Sequence, residues 1–281
     1  MTPTDFEFIA QLLKTKSGFH LEPSQIFLLE SRLSSLLRQN NLIGLEDLIN
    51  ALKLKDTDLQ KAVIEAVSVN NTRFFRNSEV FDTLLEFFKK NKTKEIKVLS
   101  AGCAGGQEAV SLALLLNENF ASSQTYFDVF AVDMSSISLN KAKKGVYSHY
   151  EVQKGLPIRL LLKYFTPISE NPEIDLGYKS WKLNDDILRG IHYHNHNLID
   201  AFFEKDFDAV LCRNILSFMI PEAAQKSIEN LAQIMKKDSL LIVGISEVLP
   251  ENPYFERVPK KLGCYRLVRP YSASSKKLSA E

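Results

Sequence analysis

Apolar residues recur at helical spacing along the N-terminal stretch. Phe6, Ile9, Leu12 and Leu13 share one face, as do Ile26, Leu29, Leu33, Leu36 and Leu37, and then Leu45, Leu48, Ile49 and Leu52. That spacing predicts amphipathic helices, and Ser24, after Pro23, is placed to cap the second of them. Residues 1–68 therefore read as an all-helical module. From about residue 95 the pattern changes. Short apolar runs at Ile96–Ser100, Phe127–Asp133, Phe207–Cys212 and Ser239–Gly244 read as buried strands separated by helical patterns. Strand alternating with helix predicts an α/β domain, a doubly wound and mostly parallel sheet covered on both faces. Its span is 96–270, with 69–95 as a linker to the helical module. Within it, 166–196 is polar, carries Pro172 and Gly177, and alternates over Tyr178–Leu183 and Ile191–His194. That stretch predicts a small antiparallel β insertion, and the serine- and lysine-rich tail 271–281 predicts disorder.

Composition narrows the function classes. The 281 residues are 45% hydrophobic and 25% charged with a formal charge of +1, so no global field points to nucleic acid or an anionic membrane. Cys103, Cys212 and Cys264 are scattered and odd in number, which suits a reducing compartment better than a disulfide framework. The N-terminus lacks the pattern of a signal peptide. Apolar runs such as Leu160–Leu162 are far shorter than the roughly 20 residues that span a bilayer. A soluble cytoplasmic protein is expected, with no membrane insertion.

Three places carry candidate chemistry. The first strand runs into Ala101-Gly102-Cys103-Ala104-Gly105-Gly106 and then a helix that begins with Gln107 and Glu108. A glycine turn of this kind brings the backbone close to a ligand beneath a helix N-terminus. The spacing is not that of a pyrophosphate-binding loop, and Glu108 would repel phosphate while accepting an ammonium or sulfonium. S-adenosylmethionine carries both cations and no phosphate. A tight strand–helix connection binding nothing is the plainer alternative. Asp133 ends the next strand, where doubly wound folds set an acid against ribose hydroxyls. It is also a possible helix cap, with Ser135 and Ser136 as rivals. Together, turn and acid at consecutive strand ends favour a nucleoside. The third place is Asn70-Asn71-Thr72-Arg73-Phe74-Phe75-Arg76 in the linker, where paired rings beside arginines also suit a structural role.

At these residues the chain resembles the CheR-type chemotaxis receptor methyltransferases. Asn70-x-Thr72-x-Phe74-Phe75-Arg76 is similar to that family's N-x-T-x-F-F-R, and Ser100-Ala101-Gly102-Cys103 through Glu108 to its S-A-G-C-S-T-G-E-E. Ala131-Val132-Asp133 with Lys141–Tyr147, then Asn197-Leu198, Cys212-Arg213-Asn214 and Ser246-Glu247, follow in the family's order, and Leu28–Leu33 also matches. The resemblance spans about Gly18 to Tyr265. It implies a Rossmann-like, class I S-adenosylmethionine-dependent methyltransferase that esterifies glutamate side chains and releases S-adenosylhomocysteine. It implies that Glu108 meets the cofactor's amino group and Asp133 its ribose. Asn70, Thr72 and Arg76 line the cofactor and transfer side, with Gly102 in the turn. Asn197 and Leu198 lie by the adenine, Arg213 and Asn214 at the rim, and Arg76 also orients the acceptor carboxylate. The implied partner is the cytoplasmic helical region of methyl-accepting chemotaxis receptors. In some members the small β-subdomain also grips the receptor's C-terminal tether. A monomer is expected.

Three departures qualify that picture. Phe218 stands where the family usually has a tyrosine at the acceptor site, and Gln107 replaces the first glutamate of the E-E pair. Residues 1–60 hold six basic side chains against eight acidic ones, whereas the family tends to meet acidic receptor helices with a basic face. These features keep two alternatives open: a catalytically weak module that binds S-adenosylmethionine or S-adenosylhomocysteine and acts through protein contacts, and a methyltransferase with another protein substrate. His192, His194 and His196 alternate as on an exposed strand face, without an obvious cysteine or acidic partner. No metal is expected.

Overall fold

The computed structural model describes residues 1–54, 56–68, 71–91, 94–168 and 180–269. The N-terminal module consists of α1 (Pro3–Ser17), α2 (Ile26–Gln39), α3 (Leu45–Lys53) and α4 (Thr57–Val67). Helix α1 starts in a capping box between Thr2 and Asp5, and Asp56 caps α4, satisfying N–H groups that a first turn leaves free. Ser24 does not cap α2. Pro23 starts a 3-10 turn over Pro23–Gln25, boxed by Glu22 and Gln25, so Ser24 lies inside that turn and Gln25 at the helix boundary. A proline ring preset for the first helical position explains the earlier start. The predicted apolar faces meet in one core, with Ile9, Leu13, Leu33 and Leu48 fully buried and Leu12, Ile26, Leu37 and Leu45 at its edge.

The expected linker 69–95 is mostly helix. Helix α5 (Ser78–Asn91) places Val80, Phe81, Leu84 and Phe88 in the core of the following domain. Their spacing is helical, but the aromatic motif beside them drew the reading toward a connector. The described chain between the modules is the turn through Asn71–Asn77, and two phenylalanines fix it. Phe74 is fully buried and meets Tyr147 and Phe165 edge-on, at centroid distances of 5.0 and 6.0 Å. The Phe75 amide donates to Ser111 Oγ at 2.9 Å.

The second domain contains β1 (Glu95–Ala101), α6 (Gln107–Phe120), β2 (Tyr126–Asp133), α7 (Ser136–Lys144) and β3 (Val146–Ser148). Next come α8 (His149–Gln153), α9 (Ile158–Tyr164), β4 (Phe165–Ile168), β5 (Ser180–Leu183), α10 (Asp185–Arg189) and β6 (Ile191–Asn195). The chain closes with β7 (Phe207–Cys212), α11 (Pro221–Ile234), β8 (Met235–Val243), β9 (Phe255–Arg257) and β10 (Cys264–Leu267). The main sheet runs β6-β2-β1-β7-β8-β10-β9. Its first five strands are parallel, and β10 is antiparallel to both neighbours. Strand β7 is buried at every residue, as expected for the centre of a sheet covered on both faces.

A separate antiparallel sheet, β3-β5-β4, forms the predicted excursion, with a different membership. Ile191–His194 does not belong to it: β6 pairs in parallel with β2 as the edge of the main sheet. The polar alternation there is that of an edge strand with one face covered. Ile191 enters the core, while His192 and His194 pack on Phe130. The third strand of the small sheet, β3, comes from outside the predicted interval. Pro172, Gly177, Tyr178 and the tail 271–281 lie outside the described residues. Among the described residues, no helix is long and apolar enough to cross a membrane.

Because the buried Phe74 packs the connector on Tyr147 of β3 and Phe165 of β4, Phe74→Ala is expected to destabilise the second domain by about 3–5 kcal/mol. Urea unfolding measures this directly, and a loss below about 1 kcal/mol would show that the ring is not the anchor.

Candidate active site

The parallel strands end together, and Gly102, Asp133, Asn197, Leu198, Asn214 and Phe218 converge there around one cavity of about 210 Å³. The glycine turn is folded back on β2: the Gly102 and Cys103 amides both donate to the Val132 carbonyl, at 2.7 and 2.9 Å. Gly102 has φ +80°, and a Cβ on it would lie 2.0 Å from Ile215 Cδ1. The left-handed backbone favours glycine there, and a side chain would have to push Ile215 aside. Ala104, at φ +47°, donates its amide to Asp133 Oδ2 at 2.8 Å, and Ser135 N donates to Oδ1 at 2.8 Å. The rival roles of Asp133 are thereby separated. Ser135 caps α7 by accepting the Ser138 amide, and Asp133 stays at the cavity wall. Burial pushes the Asp133 carboxyl above the usual aspartate range, against the pull of the Ser135 and Ala104 amides.

The helical module supplies the other half of the wall, including Phe19, Leu28, Arg32 and Ser68. An antiparallel bridge between Phe19 and Met219 docks it, with His20 N to Phe218 O and Ile220 N to Gly18 O both at 2.8 Å. The Asn197 side-chain amide donates to the Lys16 carbonyl at 2.8 Å, and the Ser136 amide to Glu65 Oε1 at 2.6 Å. Arg32 donates to the Val67 carbonyl at the end of α4. Thus the side-chain N–H₂ of Asn197, expected near a base, is engaged in holding the two modules together.

Beside the cavity lies a second, charged cluster. Arg213, its side chain only 2% exposed, donates to Glu108 Oε2 at 3.0 Å, to the Arg76 carbonyl at 2.8 Å and to Asn77 Oδ1 at 2.6 Å. Ser100 Oγ donates to the other Glu108 oxygen at 2.8 Å. Arg76 itself donates to the Asn71 carbonyl at 3.2 Å and makes no ion pair among the described residues. Burial, and the charges of Arg213 and Arg73, hold its pKa below the usual arginine value. An arginine nonetheless keeps its charge at any working pH. Thr72, Arg76, Glu108 and Arg213 do not line the cavity, and Asn70 lies outside the described residues.

Comparison with known proteins fixes the family. Residues 70–264 match the CheR methyltransferase, SAM binding domain, and residues 4–68 the CheR methyltransferase, all-alpha domain. The chain belongs to the CheR methyltransferase family. It is 27% identical to the chemotaxis protein methyltransferase of Borreliella burgdorferi over 271 residues, covering 92% of this chain and 93% of that protein. It is 27% identical to chemotaxis protein methyltransferase 1 of Pseudomonas aeruginosa, covering 89% of this chain and 92% of that one. With the Escherichia coli chemotaxis protein methyltransferase the identity is 26%, over 88% and 85% of the two chains. The CheR cofactor, S-adenosylmethionine, suits the cavity's donor set. A half-buried carboxylate with free lone pairs suits ribose hydroxyls, and Met134, Leu198 and Ile215 offer apolar faces to a flat base. At about 210 Å³ the space lies below the range of about 300–1,000 Å³ for a whole drug-sized ligand.

The three histidines form a packed row, with His194 on Phe203 and His196 on Phe202 at centroid distances of 4.5 and 4.2 Å. No group of three metal-ligating side chains is found among the described residues. Sequence reasoning missed the cavity wall contributed by Phe19, Leu28, Arg32 and Ser68. The available signal was the Leu28–Leu33 stretch, which resembles the family and contains both Leu28 and Arg32. Sequence reasoning read Glu247 only as part of a motif order, whereas its carboxylate accepts the amides of Asn214 and Ser217 behind the cavity wall.

Two outcomes test this assignment. Gly102→Ala is expected to weaken S-adenosylhomocysteine binding by about tenfold or more in calorimetry, since the wall must shift to admit a methyl group. Protonating Asp133 removes acceptor capacity, so affinity is expected to fall with decreasing pH, beginning above the value near 3.9 of an ordinary aspartate. Asp133→Asn should bind more weakly and lose that dependence. Unchanged affinity of the unsubstituted protein from about pH 7 to about pH 4 would contradict the role of the carboxylate.

Proposed function

We propose that this CheR protein transfers a methyl group to glutamate side chains on the cytoplasmic helical region of chemotaxis receptors, giving methyl esters. The observation that carries the reading is Arg76. Its backbone carbonyl is gripped by Arg213, which also holds Glu108, while its guanidinium makes no ion pair among the described residues. A planar fork of this kind fixes a carboxylate's orientation through paired hydrogen bonds. S-adenosylmethionine, when bound, supplies an activated methyl on a sulfonium centre. The acceptor glutamate, with an ordinary pKa near 4.3, needs no general base at neutral pH, so the protein's work is positioning.

In this reading Asp133 receives the ribose hydroxyls, Glu108 receives the amino group through its remaining lone pairs, and Thr72 and Asn70 complete the transfer side. Arg213 acts through Glu108 rather than at the cavity. Phe218, 42% exposed at the cavity edge, keeps the ring of the family's usual tyrosine without its hydroxyl. A neutral hydrogen bond of that sort contributes about 0.5–1.5 kcal/mol, so its loss weakens positioning without abolishing transfer. Phe218 also motivates the second reading, a cofactor-binding module that acts through protein contacts.

Incubation with tritiated S-adenosylmethionine and receptor-rich membranes separates the readings. Base-labile label on receptor is the expected result; tight cofactor binding with no transfer to any protein supports the second. Arg76→Ala leaves the backbone carbonyl that anchors Arg213, so it should lower kcat/KM by about 100-fold while S-adenosylhomocysteine affinity changes little. Transfer by that variant at full rate would remove Arg76 from the mechanism.

A further inference from the structure

Glu247 lies just beyond β8 and is 7% exposed. Its carboxylate holds three backbone amides from two separate loops. Oε2 accepts Asn214 N at 2.6 Å and Gly244 N at 2.7 Å, and Oε1 accepts Ser217 N at 3.1 Å. The first loop leaves β7 and carries Asn214 and Phe218, both of which line the cofactor cavity. Asn214 sits at φ +58°, a backbone state that a non-glycine residue keeps only where its surroundings enforce it. The second loop is packed to match: a Cβ on Gly244 would lie 2.7 Å from both Asn214 Nδ2 and Glu247 Oε2. A buried carboxylate offers only acceptors, and here three converging N–H donors meet it. No other residue in the described structure bonds to the amides of both Asn214 and Ser217.

We infer that Glu247 is a positioning residue for methyl transfer, acting through the Asn214–Phe218 loop and making no contact with cofactor or acceptor. Its two oxygens divide the task. Oε2 fixes Asn214 at the cavity wall, and Oε1 fixes Ser217, and with it the ring of Phe218 at the cavity edge. The inference uses the S-adenosylmethionine-binding assignment for its first readout and rests on the proposed receptor methylation only for its second.

The division makes conservative and drastic substitutions diverge. Glu247→Gln can keep its one oxygen on Asn214 and Gly244 while turning an N–H₂ group toward the Ser217 amide. This variant should bind S-adenosylhomocysteine within about threefold of the unsubstituted protein and lose about tenfold in kcat with little change in KM. Glu247→Ala frees all three amides and should weaken S-adenosylhomocysteine binding by about tenfold or more, with a larger loss in kcat. Calorimetry reads the first effect, and tritium transfer to receptor membranes the second. Wild-type affinity and wild-type kcat in a folded Glu247→Ala would overturn the inference. If that variant does not fold, unchanged kcat in Glu247→Gln overturns it alone. If the unsubstituted protein transfers no methyl group, the receptor reading fails. The clamp is then judged by calorimetry on Glu247→Ala or, if that variant does not fold, on the drastic but volume-conserving Glu247→Met.

Discussion

The structure turns on a guanidinium removed from water. Arg213, just beyond the fully buried strand β7, joins that strand's tip to two other parts of the chain: the start of α6 through Glu108, and the connector through the Arg76 carbonyl and Asn77. A buried ion pair contributes little net stability, because desolvating both charges offsets much of their attraction. What it supplies is register. Truncating one partner leaves an uncompensated charge, costing about 3–5 kcal/mol, so the strand tip, helix start and connector are held in one arrangement. The strand tip, the start of α6 and the backbone at Arg76 keep their relative places because this pair does.

Backbone conformation around that pair is unusual in a consistent way. Phe75, Asn77, Ala104 and Asn214 all adopt positive φ without being glycine, and each belongs to a turn at the strand tips or the connector. Such residues persist where surrounding contacts over-determine them. Those contacts are visible: the Phe75 amide on Ser111, Asn77 on Arg213, Ala104 on Asp133 and Asn214 on Glu247. Strain and hydrogen bonding are paired residue by residue.

Much of this was legible in the sequence, for identifiable reasons. Helical and strand periods are written into apolar spacing, so an all-helical module, the parallel sheet and a small antiparallel sheet could all be anticipated, although α4 was not singled out. Glycine turn and acid were legible because ligand-binding backbone at consecutive strand ends needs particular residue types. Less legible was anything that depended on partners distant in the chain. Helix α5 was hidden by the aromatic motif preceding it, and β6 by a polar alternation that edge strands share with surface hairpins. The engagement of Asn197 with Lys16, and of Glu247 with Asn214, has no local signature at all. Glu247 could be placed in a motif order, but its task is visible only once the opposing amides are in view.

The seam between the modules also ties occupancy of the cavity to domain docking. Phe19, Leu28, Arg32 and Ser68 supply one wall of the cavity, while the Phe19–Met219 bridge and the Asn197–Lys16 contact fasten that wall to the sheet domain. A ligand that touches both sides adds its binding free energy to their association, and undocking in turn costs the ligand half its enclosure. Fastening and occupancy are then two readings of one equilibrium. Anything that grips the helical module from outside acts on the residence time of a ligand in that cavity without reaching it.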